Sequence, residues 1–244
     1  MTWIAATAIE RDLEGIARER PALWREIRRF NAPVKLALAA VDRVVPALAR
    51  PAEATLVALA PCRPGSPELR KISRELDAAF AAPDAAGPLR VNPIYTLHAI
   101  DNLGLSALAI RLANRAPAIC LGGAAGQAWS AVEHACEALA DGASEVVVFG
   151  GDQGDASWRG ERAASAELGV ALVLSSSPAA SARVRLLAVE RERRPDAAAV
   201  PHAASGLASW LAALAAAPPG RLCYAVPAVD GDGVDRITVV AELA

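Results

Sequence analysis

The residues best placed for chemistry lie in one stretch of this 244-residue chain, positions 116–153, APAICLGGAAGQAWSAVEHACEALADGASEVVVFGGDQ. The apolar run Ala116 to Leu121 has the length of a buried strand, and Gly122-Gly123 then turns the chain. A helix is predicted from about Ala125 to Ala140, because Ala125, Ala128, Trp129, Val132, Ala135, Cys136 and Leu139 recur at helical spacing. Asp141-Gly142 is its stop, since glycine takes the left-handed conformation without a Cβ penalty. A second strand, Val146 to Phe149, runs into Gly150-Gly151. The tight strand-to-helix turn sets one side chain over the helix N-terminus. There, unpaired N–H groups could lower a thiol's pKa or hold an oxyanion. That position holds Ala125, which has no nucleophile to offer. Ser130 and Cys136 lie deeper in the helix, where the dipole helps little, and Cys120 sits in the strand before it.

The elements that must position this stretch follow a β–α–β logic. Trp3 to Ile9 reads as an opening strand, Pro21 to Arg29 and Val34 to Leu48 as helices, and Ala54 to Ala60 as a central strand bounded by prolines. After the loop Pro61-Cys62-Arg63-Pro64-Gly65, Ser66 is placed to cap a helix carrying the stripe Leu69, Ile72, Leu76 and Phe80. Residues 81–87 have the composition of a linker. Leu168 to Ser175 is a strand, and the alternation over Ser181 to Arg191 suits an exposed or edge strand. A last helix spans about Ala204 to Ala217. The strands Arg221 to Val226 and Val234 to Glu242 then flank Asp230-Gly231-Asp232-Gly233, a hairpin turn too short to supply a full calcium ligand set.

Composition narrows the classes. A hydrophobic content of 54% supports a substantial core, and a net charge of −2 makes no electrostatic case for nucleic acid or an anionic membrane. Cys62, Cys120, Cys136 and Cys223 are scattered without a CxxC pair, which fits reduced thiols of a cytoplasmic protein and no metal site. The N-terminus lacks signal-peptide character, and the longest apolar helix candidate, residues 206–217, is too short to span a bilayer.

The 116–153 pattern resembles the nucleophile segment of β-ketoacyl synthases in the thiolase superfamily, where a cysteine opens the buried helix, a glycine ends it and a strand runs into Gly-Gly. Aligned without gaps from Gly150-Gly151 back through Gly142, the family's cysteine falls on Ala125. Upstream, Asn92-Pro93 through Asn102 and on to Pro117 resembles the family's run before its cysteine strand. The resemblance covers roughly the first 190 residues. It implies an α/β fold: a thiolase-like half with a layered mixed β-sheet and a buried central helix (α-β-α). Residues 1–244 would form a single lobe, without the catalytic second half of a full synthase. That half carries two histidines and a lysine. None of His98, His134 and His202 lies in a segment matching those motifs, and His134 falls on the solvent side of the central helix.

With the cysteine replaced, the resemblance is to short, chain-length-factor-type proteins of type II fatty-acid or polyketide pathways, notably aryl polyene routes. It implies a non-catalytic cytoplasmic subunit that forms a heterodimer with a full-length β-ketoacyl-ACP synthase, meets acyl carrier protein through that complex, and needs no cofactor. In chain-length factors glutamine often replaces the nucleophile; here Ala125 does, with Gln127 nearby. By position Tyr95 matches a family aromatic that reaches toward the partner's acyl channel, and Leu69, Ile72 and Cys62 fall around the segment resembling the tunnel gate. Ala118, Ile119, Cys120 and Leu121 match the strand through which synthase dimers join. Two alternatives stay open: a small acyl-transfer or thioester-cleaving enzyme using Ser130, Cys136 or Cys120, and an acyl-binding scaffold in a homodimer.

Overall fold

Among the described residues, eight strands form one mixed sheet in the order β3-β2-β4-β5-β1-β6-β8-β7. In chain order they are β1 (Thr2–Glu10), β2 (Thr55–Leu59), β3 (Ala118–Leu121), β4 (Glu145–Asp152), β5 (Leu168–Ser175), β6 (Val184–Arg194), β7 (Gly220–Asp230) and β8 (Gly233–Leu243). Among the described residues the principal α-helices are α1 (Leu13–Glu19), α2 (Pro21–Ile27), α3 (Ala32–Val44), α4 (Leu103–Arg111), α5 (Gln127–Ala140) and α6 (Ala203–Ala216). The computed structural model describes residues 1–60, 73–78, 81, 102–122, 127–152, 167–178, 184–194, 203–230 and 233–243.

β3, β2 and β4 run parallel, and the remaining pairings are antiparallel. The central strands read as continuous apolar runs because both faces of the sheet are covered. Val57, Val146, Val148, Leu172 and Leu174 face a core shared with α5 and α6. Their neighbours Leu56, Val147, Phe149, Ala171 and Val173 face a second core under α1, α2, α3 and α4. The result is an α-β-α sandwich, as the resemblance implies.

α3 lies so close to the sheet that its backbone replaces side chains. Gly151 and Gly169 are register partners on β4 and β5. A Cβ on Gly151 would come within 2.1 Å of the Pro33 carbonyl oxygen, and one on Gly169 within 2.0 Å of the Leu36 carbonyl carbon. At the far end of α5, Gly142 has φ +108° and ends the helix as expected.

Three features differ from the sequence expectations. β6 is an interior strand, bonded to β1 over Val184–Leu186 and to β8 along its length. Its charged alternation suggested an exposed or edge strand; Leu187 on it is exposed, but it is no edge, because a hairpin arriving from the far end of the chain pairs with it. Among the described residues β3 is a terminal strand of the sheet, with Ala118 exposed and Ile119, Cys120 and Leu121 half-buried, so it is less enclosed than a buried strand. Helices α1 and α4 are additional: α1 carries only Gly15 and Ile16 as fully buried residues, too faint a stripe to stand out.

Candidate functional site

The C-terminal ends of parallel strands are where open α/β sheets place their ligands, and β2, β3 and β4 all end on one side of this molecule. β3 ends at Leu121 and Gly122, β2 at Leu59, and β4 at Gly150-Gly151-Asp152. The N-terminus of α5 returns to this rim. The Gln127 side chain reaches back to Gly122, so that a Cβ on Gly122 would lie 3.8 Å from its Nε2 and 4.0 Å from its Oε1. The structure therefore brings Gly122 and Gln127 together at the strand-to-helix turn. Ala125, the expected position of the replaced nucleophile, lies outside the described residues, as do Cys62, Leu69, Ile72 and Tyr95.

α5 buries Ala128, Trp129, Ala131, Val132, Ala135 and Leu139. Trp129 meets Trp210 of α6 edge to face, with ring centroids 5.4 Å apart at 68°. This pair fills the space between the two helices with the two largest fully buried side chains. On the outer side of α5, Ser130, Glu133 and His134 are half-buried and Glu137 is exposed. His134 Nδ1 lies 3.6 Å from Glu137 Oε2, a surface pair one helical turn apart. Cys136 is half-buried, and burial pushes its thiol up. Nearby Glu133 and Glu137 add to that shift, against a hydrogen bond with Thr2 that lowers it. Cys120 points its Sγ toward the Leu121 carbonyl oxygen at 3.9 Å.

Asp152 is a functional-looking residue that the sequence reading passed over. Only 1% exposed at the end of β4, it accepts hydrogen bonds at Oδ2 from the Ser205 N–H and the Ser205 hydroxyl, both at 2.7 Å. A carboxylate at the first turn of α6 meets the positive end of the helix dipole, so Asp152 fixes where α6 starts relative to β4. The two residues are 53 positions apart, and no local signal pairs them. On the α3 side of the sheet a cavity of about 20 Å³, lined by Pro33, Val34, Leu59, Phe149, Gly150 and Gly151, has room for little more than one water.

Among the described residues there is no group of three or more His, Cys, Asp or Glu side chains that could hold a metal ion. No described helix is long and apolar enough to cross a membrane.

No protein-family model matches the chain, and no curated protein matches it either. Solved structures do match, over nearly their whole length. The ishigamide ketosynthase/chain length factor aligns with a TM-score of 0.70, covering 100% of this chain and 99% of its own at 17% identity. The AntDE:AntF structure, a type II polyketide synthase acyl-carrier protein in complex with its ketosynthase, aligns with a TM-score of 0.71, covering 99% of each chain at 10% identity. The ketosynthase ApeO in complex with its chain length factor ApeC, from Xenorhabdus doucetiae, gives a TM-score of 0.54 over 98% of this chain and 99% of its own, at 14% identity. The shared property is the thiolase-like fold of ketosynthases and chain length factors, and it extends beyond the roughly 190 residues whose sequence pattern resembles that family.

Proposed function

We propose that this protein is a non-catalytic, chain-length-factor-like subunit that pairs with an active β-ketoacyl-ACP synthase and shapes its acyl tunnel in a type II fatty-acid or polyketide route such as aryl polyene synthesis. The observation that carries the proposal is the position of β3, among the described residues, at an outer limit of the sheet, in a fold shared with solved ketosynthase and chain length factor structures. An apolar terminal strand is an aggregation hazard unless something covers it, and a partner's matching strand would do so. Ala118, Ile119, Cys120 and Leu121 then form the seam, with residues 1–244 acting as one thiolase-like lobe.

The absence of a nucleophile at Ala125 supports a silent role. Condensation through a thioester needs a thiolate matched to a base. Catalysis by Cys136 is disfavoured, since burial raises its thiol, the opposite of what activation requires. In the proposed complex this chain contributes walls: Tyr95, Leu69, Ile72 and Cys62 would set how far an acyl chain can extend. Acyl carrier protein would meet the assembled pair.

Co-expression with a full-length synthase tests the proposal. The expected outcome is co-elution as a heterodimer and a product length that changes when Tyr95, Leu69 or Ile72 is altered. A chain that remains alone, or a synthase whose products are the same with and without it, would refute it.

A further inference from the structure

Among the described residues the sheet has a second terminal strand, β7, at the end opposite β3. It pairs with β8 from Gly220↔Leu243 to Asp230↔Gly233 with no shift of register. Its other edge carries the backbone groups that β8 does not use, and Pro227 fixes which residues those are. Proline has no N–H to give, so it keeps its place in a strand only where that side of the residue turns away from the ladder. In an antiparallel ladder, residues bonded to the neighbouring strand alternate with residues that are not. Arg221, Cys223, Ala225 and Val229 share the parity of Pro227, so their N–H and C=O groups point to the free edge.

An open edge of this kind accepts further strands, and proteins blunt it with proline, charge or a covering element. Here Pro227 protects only the end toward the hairpin turn. The stretch from Gly220 to Val226, GRLCYAV, holds one charged residue and the strand formers Tyr224 and Val226. Leu222 packs against the core beneath α5 and α6, while Arg221 and Cys223 are exposed on the other face. Pro219 closes the stretch on its near side. It stands four positions before Cys223, as Pro227 stands four after.

That spacing makes the edge complementary to itself. In an antiparallel pairing of two copies centred on Cys223, Arg221 of one copy faces Ala225 of the other, and Cys223 faces Cys223. Each such pair exchanges two hydrogen bonds, so every outward N–H and C=O of these three residues is used. The next pair sets Pro227 of one copy against Pro219 of the other, and the ladder ends without an unpaired N–H. A shift of two residues either way sets a proline against Arg221 or Ala225 and strands that residue's carbonyl. Side-chain charge is compatible as well. The two Arg221 lie four residues apart along the seam, roughly 14 Å, beyond the screening length of about 8 Å at physiological salt. Each also has Glu242 of its own copy as register partner on β8.

We propose that a second copy of this chain pairs antiparallel with β7 about Cys223, joining two sheets into one. A seam this short falls below the area of an obligate dimer, so the association is a reversible one in the micromolar range. The surface lies at the opposite end of the sheet from β3, and the proposal stands or falls independently of pairing with a synthase.

Analytical ultracentrifugation of the full chain at high micromolar concentration should show a reversible dimer. Hydrogen-bonded antiparallel partners stand about 5.5 Å apart at Cα, so bismaleimidoethane should join Cys223 to Cys223, as located by mass spectrometry of tryptic peptides. R221C/C223S and A225C/C223S should cross-link to one another in a mixture, and neither to itself. Ala225→Pro removes one outward N–H from each copy and leaves the ladder with β8 intact. It should weaken the dimer by about tenfold or more with an unchanged circular dichroism spectrum. Should that variant unfold, the cross-linking pattern decides alone. A chain that stays monomeric, a dimer linked only through Cys120, self-linking of R221C/C223S, or a folded Ala225→Pro that dimerises like the parent overturns the proposal.

Discussion

At the scale of single residues, the clearest statement concerns two glycines. Gly151 and Gly169 stand opposite each other and receive the backbone of α3 directly. A methyl group at either would sit about 2 Å from Pro33 or Leu36 backbone atoms, which no side-chain rotation can relieve. We expect Gly169→Ala and Gly151→Ala each to cost at least about 1–3 kcal/mol, the range for overpacked cores, read from urea unfolding midpoints. Unfolding curves that overlay the parent would mean that α3 does not rest on the sheet as described. The cysteines make a second residue-scale test. Cys223 is exposed, whereas Cys136 is half-buried with its thiol pushed up by burial. Iodoacetamide near neutral pH should therefore modify Cys223 before Cys136. The linkage has a definite sign. A thiol raised in the folded state holds its proton where the unfolded chain gives it up. Its contribution to stability is thus full below the ordinary thiol pKa of about 8.5 and is lost as pH rises through the folded value. Cys136→Ala should flatten the alkaline loss of stability; an unchanged alkaline limb would assign that loss to other groups.

At the scale of elements, Asp152 decides how α6 sits. Its carboxylate takes two short hydrogen bonds from Ser205 in a fully buried setting, and hydrogen bonds to a charged acceptor contribute about 1.5–3 kcal/mol each. Asp152→Ala should therefore be more destabilising than Asp152→Asn, which keeps an acceptor, and thermal melts of the two variants check the ranking. Equal melting temperatures would mean that a neutral acceptor at this position recovers nothing of what the carboxylate contributes to the seating of α6. The same elements indicate what the sequence can convey. Strands β1, β2, β4 and β5 and helices α2, α3, α5 and α6 are legible because each writes its own periodicity: continuous apolar runs where both sheet faces are covered, and 3.6-residue stripes where one face is. The position of a strand within the sheet is not written locally. β6 alternates charged and apolar residues like an edge strand, yet a hairpin some 40 residues later covers it, with Val184 paired to Leu243. The rim is legible in part. Gly122, the α5 start and Gly150-Gly151 stand out as motifs, but the Asp152–Ser205 link crosses 53 residues and depends on tertiary packing alone. The glycines were read as a family motif; the structure gives the physical reason, a helix backbone resting on them.

At the scale of the whole molecule, the proposal turns on whether β3 meets a partner. An obligate pairing through this strand and its flanks should bury well over about 2,000 Å² of mostly apolar surface. Ile119 is half-buried in the isolated chain and would become enclosed in the seam. Ile119→Asp would then place an unpaired carboxylate inside the interface, and breaking a buried environment in this way costs about 3–5 kcal/mol. Each 1.4 kcal/mol is about tenfold in affinity, so the variant should bind its synthase hundreds of times more weakly. The isolated variant should still fold, because in the monomer this position reaches solvent, and circular dichroism separates the two effects. Size-exclusion chromatography at micromolar concentration is the decisive measurement: the parent should co-elute with the synthase, and Ile119→Asp should not. A folded variant that still co-elutes would move the interface elsewhere. Restoring the nucleophile probes the other half of the proposal. Ala125→Cys supplies the thiol but no matching pair of histidines, so it should neither condense acyl thioesters alone nor rescue a synthase whose own cysteine has been removed. Condensation by that single variant would show that the chain holds a complete catalytic set, and the silent-subunit proposal would have to be abandoned.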